Sequence, residues 1–166
     1  MMDDYMVSFN GLNFDYPVLH KLLAMRHKLP VKGETIAKHV YQYAQEQIES
    51  MRGEFANTVK ESERYVKQID LFKIHHFDNK AKMTSLKMLE FNMREHNIAD
   101  LPYPVGTELK SHEMDVLLKY NMHDVMMTLA FYNKSLPQVE FREQLTKKYN
   151  RDFMNHNDTK IGEDYF

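Results

Sequence analysis

The chain has 166 residues, and its 22 Lys and Arg against 24 Asp and Glu leave a net charge of −2, so an ordinary soluble domain is expected rather than a basic or acidic tail. Cysteine is absent, which excludes disulfides, cysteine-ligated zinc, iron–sulfur clusters and thiol nucleophiles. The few glycines are too scattered for a phosphate-binding loop, and no apolar run is long enough to cross a membrane, so we expect a cytoplasmic protein with no membrane partner.

The first predicted elements are a strand and two helices. The apolar run Tyr5–Phe9 ends at Asn10-Gly11, which predicts a strand and then a sharp turn, with Gly11 taking the positive φ. Helices are predicted from Asp15 to about Arg26 and over 35–51, the second with Gln and Glu facing away from its apolar stripe. Next come a loop over 52–63, a strand over 65–72, a polar turn over 75–80, a short helix over 85–96 and an extended linker over 101–106.

The strongest helical pattern begins near Ser111, a good N-cap. Apolar side chains at helical spacing predict a core-facing stripe made of Met114, Leu118, Met122, Val125, Leu129 and Tyr132. Pro137 predicts the start of a further helix, and the tail over 151–166 is polar.

Two acidic motifs stand out. The first motif runs from Phe9 to Pro17, where a strand leads through a tight turn to Asp15 at the start of a helix. A carboxylate in this position can face a metal or a substrate. The simpler alternative is that Asp15 is the N-cap of the helix. Tyr120 and Asp124 are four residues apart on a helix, on a face expected beside the apolar stripe. Such a pair suits a hard divalent cation and an oriented water, and the simpler alternative is a tyrosine hydroxyl bonded to a boundary aspartate.

Together the two motifs resemble the second and third signatures of the DEDD-type 3′–5′ exonucleases, tyrosine subclass, the proofreading domains of bacteriophage and family-B-like DNA polymerases. The second signature is similar to aromatic-Asn-Gly-x-x-Phe-Asp-x-Pro, and the third to Tyr-x-x-x-Asp. The segments 69–73, 84–87 and 101–104 resemble the region between them in the phage enzymes.

The resemblance implies an α/β, helix-rich, ribonuclease H-like fold over 1–135, followed by a C-terminal helix and polar tail over 136–166. It implies that Asp15 and Asp124 ligate Mg²⁺ or Mn²⁺ and that Tyr120 orients the attacking water. Asn10 would contact the sugar-phosphate near a DNA 3′ end, and Phe14 would pack behind the motif. The implied activity is two-metal hydrolysis of a DNA 3′ end, in the host cytoplasm if a phage encodes the chain.

The family's first signature, Asp-x-Glu on an opening strand, is missing, because no Asp in the chain has Glu two residues later. We therefore expect the chain to begin inside the fold, without its N-terminal strands. The metal site would be incomplete and the chain inactive alone, unless a separate chain supplies the strands. The bared sheet edge invites such a partner or a homo-oligomer.

Three alternatives stay open. Asp3, Asp4, Asp70 or Asp78 could replace a missing carboxylate, although each reads more simply as a solvated or capping acid. His75 and His76 with Asp78 could form a transition-metal site, although hydrogen-bonded histidines are favoured. Finally, lysines among aromatics, such as Lys73 with Phe72 and Phe77, also suit a non-catalytic module that binds single-stranded DNA or a protein.

Overall fold

The computed structural model describes residues 4–28, 33–52, 57–77, 79–94, 98–104 and 106–165, with the side chains of Glu34 and Tyr165 left aside. The chain forms two compact units, 1–70 and 71–166, and each is presented by itself. The division predicted at residue 135 stays a prediction. Within the described ranges, no helix combines the length and the apolar character needed to cross a bilayer.

The first unit is a strand–helix–helix–strand arrangement. Its elements are β1 (Tyr5–Ser8), α1 (Asp15–Met25), α2 (Gly33–Arg52), a 3₁₀ turn (Glu61–Glu63) and β2 (Lys67–Asp70). The two strands pair in parallel, with Tyr5 opposite Lys67 and Ser8 opposite Asp70. Parallel strands need a long crossover, which the two helices provide. Both strands therefore end at the same edge, and the residues that follow β1 lie beside Asp70.

The core of the first unit combines apolar and polar side chains. Leu12, Tyr16, Tyr43 and Ile69 are buried, and the Tyr16 hydroxyl accepts a hydrogen bond from the Tyr65 amide. The prediction that glutamines of α2 face away is wrong for Gln47, which is 7% exposed. Its amide group donates to the carbonyls of Asn13 and Asn57, at 2.6 and 2.7 Å, so it is buried because it satisfies two loop carbonyls.

The second unit is helical throughout its described elements. These are α3 (Leu71–Ile74), a 3₁₀ turn (Lys80–Lys82), α4 (Leu86–Asn92), a 3₁₀ turn (Ser111–Glu113), α5 (Met114–Lys134), α6 (Leu136–Tyr149) and α7 (Asp158–Tyr165). Arg142, 1% exposed, donates to the carbonyls of Ile74 and His156 and to the Asp158 carboxylate. This guanidinium thus ties α3, α6 and α7 together.

Two predictions for the ends of these elements need correction. The strand expected to reach residue 72 ends at Asp70, and Leu71–Ile74 is helical, because a short apolar run carries no periodicity that separates strand from helix. The polar tail contains α7, which begins where the Asn157 side chain accepts from the Lys160 amide. Its Ile161 is 8% exposed, so packing stabilises a helix that composition alone did not indicate.

The stripe on α5 that was predicted to face the core is largely exposed. Met114, Leu118, Met122, Val125 and Leu129 are 43–61% exposed. The less exposed face carries Leu117, Tyr120, Asp124, Met127 and Phe131, at alternating spacings of three and four. Because apolar residues occur on several sides of α5, their spacing does not indicate which face is buried. The packing of α5 against α4 and α6 determines the less exposed face.

Taken together, the described elements are mostly helices with one small, two-stranded parallel sheet. This confirms the coarse prediction of an α/β, helix-rich fold.

Candidate functional site

The turn after β1 is built around Asn10, which has a φ of 63°. The positive φ was predicted for Gly11 and falls one residue earlier, because Asn is among the few residues that tolerate the left-handed region. Its Oδ1 accepts a hydrogen bond from Nδ2 of Asn13 at 2.7 Å. The side chain therefore braces the same turn that its backbone forms.

Gly11 is needed for a different reason, which is close packing. A Cβ on Gly11 would lie 2.3 Å from Ser8 Oγ, far inside contact distance, and 3.6 Å from Asp15 Oδ2. Ser8 is buried, and its hydroxyl has no hydrogen-bond partner among the described residues. The absence of a side chain thus lets the turn fold back over the end of β1 and brings Asp15 close to it.

Asp70 secures the turn from the neighbouring strand. It is completely buried, and its two carboxylate oxygens accept from the Asn10 amide at 2.8 Å and the Leu12 amide at 3.0 Å. Charged acceptors make strong hydrogen bonds to backbone amides. Asp70 is therefore neither a solvated acid nor an available replacement ligand, since it shapes the loop. Of the other suggested replacements, Asp4 is exposed, and Asp3 and Asp78 lie outside the described residues.

Asp15 is the first residue of α1 and does not cap it. Phe14 occupies the cap position and makes no side-chain capping bond. Burial raises the pKa of Asp15, and the charge of Asp70 raises it further, against the lowering effect of its own backbone amide. The residue as a whole is nevertheless exposed, so its carboxylate is partly desolvated by the surrounding atoms and still reaches solvent. No ion pair of Asp15 is formed within the described part of the chain, and an accessible carboxylate without a cationic neighbour is suited to binding a cation.

A groove of about 420 Å³ runs beside Asp15. The residues that line it are Phe9, Asn10, Phe14, Asp15, Ile48, Met51 and Arg52. Phe14, predicted to pack behind the motif, is half-buried and forms part of this wall. The first unit thus gathers Asn10, Phe14 and Asp15 at one groove, and adds the end of α2, which the sequence did not indicate.

The second unit holds Tyr120 and Asp124 on the less exposed face of α5. The Tyr120 hydroxyl lies close enough to the Asp124 carboxylate for each group to shift the pKa of the other, as the simpler alternative of a tyrosine beside a boundary aspartate expects. Burial raises the pKa of both groups, and the charge of Asp124 raises that of Tyr120 further. At about 100° per residue, the face of α5 that carries Tyr120 and Asp124 lies nearly opposite the exposed apolar stripe. The prediction that this face lies beside the stripe is therefore wrong.

Glu90 is a member of this cluster that the sequence reasoning missed. It lies on α4, is 2% exposed, and accepts a hydrogen bond from His123 Nε2 at 3.0 Å. Its charge also raises the pKa of Asp124. A signal was present: with Leu86, Leu89 and Met93 it follows the core spacing of i, i+3, i+4 and i+7, where a carboxylate is unusual.

The histidine site proposed around His75 finds no support among the described side chains. His75 Nε2 is 2.8 Å from the Ser135 hydroxyl, which itself donates to the Phe131 carbonyl. Burial lowers the pKa of His75, and Arg142 lowers it further. The ring is therefore a neutral hydrogen-bond donor in a packed setting, as the favoured alternative held.

Asp15 and Asp124 have the right donor atoms for Mg²⁺ or Mn²⁺, since carboxylate oxygens are the ligands these ions prefer. Their nearest acidic neighbours are engaged elsewhere, Asp70 by backbone amides and Glu90 by His123. Over the ranges that the structure describes, no group of three or more His, Asp or Glu could hold an ion. Each unit therefore offers one carboxylate of the right kind and not a full ligand set.

Comparison with known proteins gives no match to this chain, whether among protein-family models, curated proteins or solved structures. The resemblance to the DEDD exonucleases therefore stays a prediction that depends on the two motifs themselves.

Proposed function

We propose that this chain is part of a proofreading-type 3′–5′ DNA exonuclease on a partial ribonuclease H-like fold. The observation that carries the proposal is the Asp70 cradle, which holds the Asn10–Leu12 turn and leaves Asp15 accessible at the end of β1. Further support comes from Tyr120 and Asp124, which share the less exposed face of α5 and influence each other's pKa. The substrate is a DNA 3′ end, and the ions are Mg²⁺ or Mn²⁺.

The proposal includes an incomplete ion site, because no Asp-x-Glu pair occurs in these 166 residues. A partner chain would supply the missing carboxylates on a strand. The exposed apolar stripe of α5 is a surface that such a chain would cover, since apolar patches of this kind are common at protein interfaces. The chain alone would then bind ions weakly and show little or no nuclease activity.

The first experiment asks whether Asp15 and Asp124 share ions. Mn²⁺ is titrated into the isotopically labelled chain, and paramagnetic broadening of backbone NMR signals is followed near both aspartates. We expect both regions to broaden together, and Asp124→Asn to reduce the broadening near Asp15. Asp115→Asn, an exposed acid on the same helix, is the matched control and should change neither. Independent broadening, with Asp15 unaffected by Asp124→Asn, contradicts a shared site.

The second experiment separates a nuclease from a binding module. Shortening of a 5′-labelled DNA strand is measured with Mg²⁺, alongside binding of the same strand with and without EDTA. We expect no shortening and binding that weakens in EDTA. Strong Mg²⁺-dependent shortening that Asp124→Asn abolishes would mean that the site is complete, whereas binding that survives both EDTA and the Asp15→Ala, Asp124→Ala double change favours the non-catalytic module.

A further inference from the structure

The groove beside Asp15 is lined by two opposite charges that do not pair with each other. Asp15 comes from the start of α1 and Arg52 from the last residue of α2. No ion pair joins them among the described contacts, and no contribution from Arg52 lowers the pKa of Asp15. Because these two opposite charges do not pair with each other, each can face a different part of one ligand. Such a ligand carries an anionic group and a bound cation.

Among the described residues that line the groove, Arg52 is the one with a cationic side chain. Its Nη1 donates to Glu49 Oε1 at 2.6 Å, and the two side chains are 71% and 67% exposed. An exposed pair of this kind adds little to stability, since water competes for both charges. The guanidinium can therefore leave Glu49 for a stronger acceptor at little energetic cost.

The remaining walls indicate what kind of acceptor this is. Phe9 and Phe14 offer ring surfaces, and Asn10 offers a polar side chain. Aromatic faces stack on bases, and arginine binds phosphate through paired N–H donors. A phosphate could also contact both a cation bound at Asp15 and the Arg52 guanidinium across the groove.

We propose that Arg52 is a phosphate-binding residue for a single DNA strand in the groove beside Asp15, and that Glu49 holds it in the free chain and competes with the phosphate. This assignment rests on the proposed function and extends it to α2, which lies outside both motifs. The groove then receives the strand between the α1 start and the α2 end. Glu49 weakens the binding of any strand, because the phosphate must displace its carboxylate.

The test is binding of a 5′-fluorescein-labelled thymidine octamer, followed by fluorescence anisotropy at several salt concentrations with Ca²⁺ present. Arg52→Gln should weaken binding about three- to tenfold and lower the slope of log affinity against log salt by about 0.7, the value for one phosphate contact on a single strand. Glu49→Gln should tighten binding about two- to fivefold, because it releases the guanidinium.

Arg26→Gln is the matched control. Arg26 is an exposed arginine at the end of α1 that donates to the Leu23 carbonyl and does not line the groove. It should leave affinity and slope unchanged. Urea unfolding midpoints of all variants should stay equal, since Arg52 and Glu49 are on the surface.

The outcomes separate this inference from the function on which it rests. If Arg52→Gln binds like the unchanged chain while Asp15→Asn or EDTA weakens binding, Arg52 is not a phosphate contact and the exonuclease proposal stands. If Arg52→Gln lowers the slope while Asp15→Asn and EDTA have no effect, the phosphate contact stands and the metal-dependent function falls. Equal losses for Arg26→Gln and Arg52→Gln, or no binding at any salt concentration, overturn the inference.

Discussion

The two candidate acids are held in different ways. Asp15 follows a turn whose backbone amides are bound by the buried carboxylate of Asp70. Asp124 lies on a long helix and is positioned by side chains, with Tyr120 on its own helix and the buried Glu90–His123 bond beside it. In each unit a second, buried carboxylate raises the pKa of the exposed or half-buried one. A turn needs hydrogen bonds to its main-chain groups to keep its shape, whereas a helix satisfies its own backbone and needs only a packed neighbour to place its side chains.

The largest expected effect is the loss of stability when the buried carboxylate of Asp70 is replaced by an amide. The same replacement of Glu90 in the second unit is the comparison. Asp70→Asn has one acceptor oxygen where two amides need one each, so the free energy of unfolding should fall by about 3 kcal/mol. Glu90→Gln retains an acceptor for His123 Nε2 and should cost about 1 kcal/mol or less. Urea unfolding and hydrogen exchange of β1 and β2 measure the loss, and the exposed Asp115→Asn serves as control. Equal losses in the two units would contradict the contrast.

A smaller effect is expected from Gly11→Ala. The added methyl group would overlap both Ser8 Oγ and Ser8 Cβ, at 2.3 and 2.5 Å, so the turn must shift. Overpacking of this kind costs about 2 kcal/mol. Combining it with Ser8→Gly should recover most of the unfolding free energy, because the colliding atoms are gone. Gly33→Ala, with nothing near its Cβ, is the control and should be neutral or slightly stabilising. A loss that Ser8→Gly fails to recover would show that the clash is not the cause.

The smallest expected effect concerns pH. The ordinary pKa of an aspartate here is 3.8, and Asp15 and Asp124 are both raised above it by burial. Their folded forms hold protons more tightly than the unfolded chain, so this contribution to stability is fully present below pH 3.8 and is lost as pH rises through the raised pKa. Asp15→Asn and Asp124→Asn should each flatten this decline in the urea midpoint.

Glu90→Gln should also lower the pKa of Asp124, because a negative charge close by is removed. Carbon-detected NMR titration of the carboxyl group measures it directly. A pKa of Asp124 below 3.8 in the unchanged chain would contradict this interpretation.

Local patterns were sufficient where a segment determines its own structure. The strand Tyr5–Ser8, the start of α1 at Asp15 and the proline in the first turn of α6 agree with the predictions within a residue or two. Turn residues and prolines act through their own backbone preferences, which do not depend on distant contacts. The positive φ lies at Asn10 rather than at Gly11, one residue from its predicted position, and both residue types tolerate it.

Partners distant in sequence were not predictable from these patterns. Asp70 lies 60 residues from Asn10, and Glu90 lies 33 from His123, and no local preference connects them. The polar character of Gln47 predicts a place on the solvent face, yet its side chain is buried and donates to the loop carbonyls of Asn13 and Asn57. Similarly, α5 has apolar residues on more than one face, so its spacing predicted a stripe that is exposed.

The order of residues therefore fixes which groups are available for chemistry: no thiolates, two aspartates that each follow a short motif, and a tyrosine one helical turn before the second. It also determined the order of the elements that carry them. Only the folded chain shows that Asp70 binds the turn before Asp15, that the Glu90–His123 pair lies close enough to Asp124 to raise its pKa through the Glu90 charge, and that Arg52 lines the groove beside Asp15. The physical reason is that backbone preferences act within a few residues, whereas burial, charge and hydrogen-bond satisfaction depend on which distant residues the fold brings together.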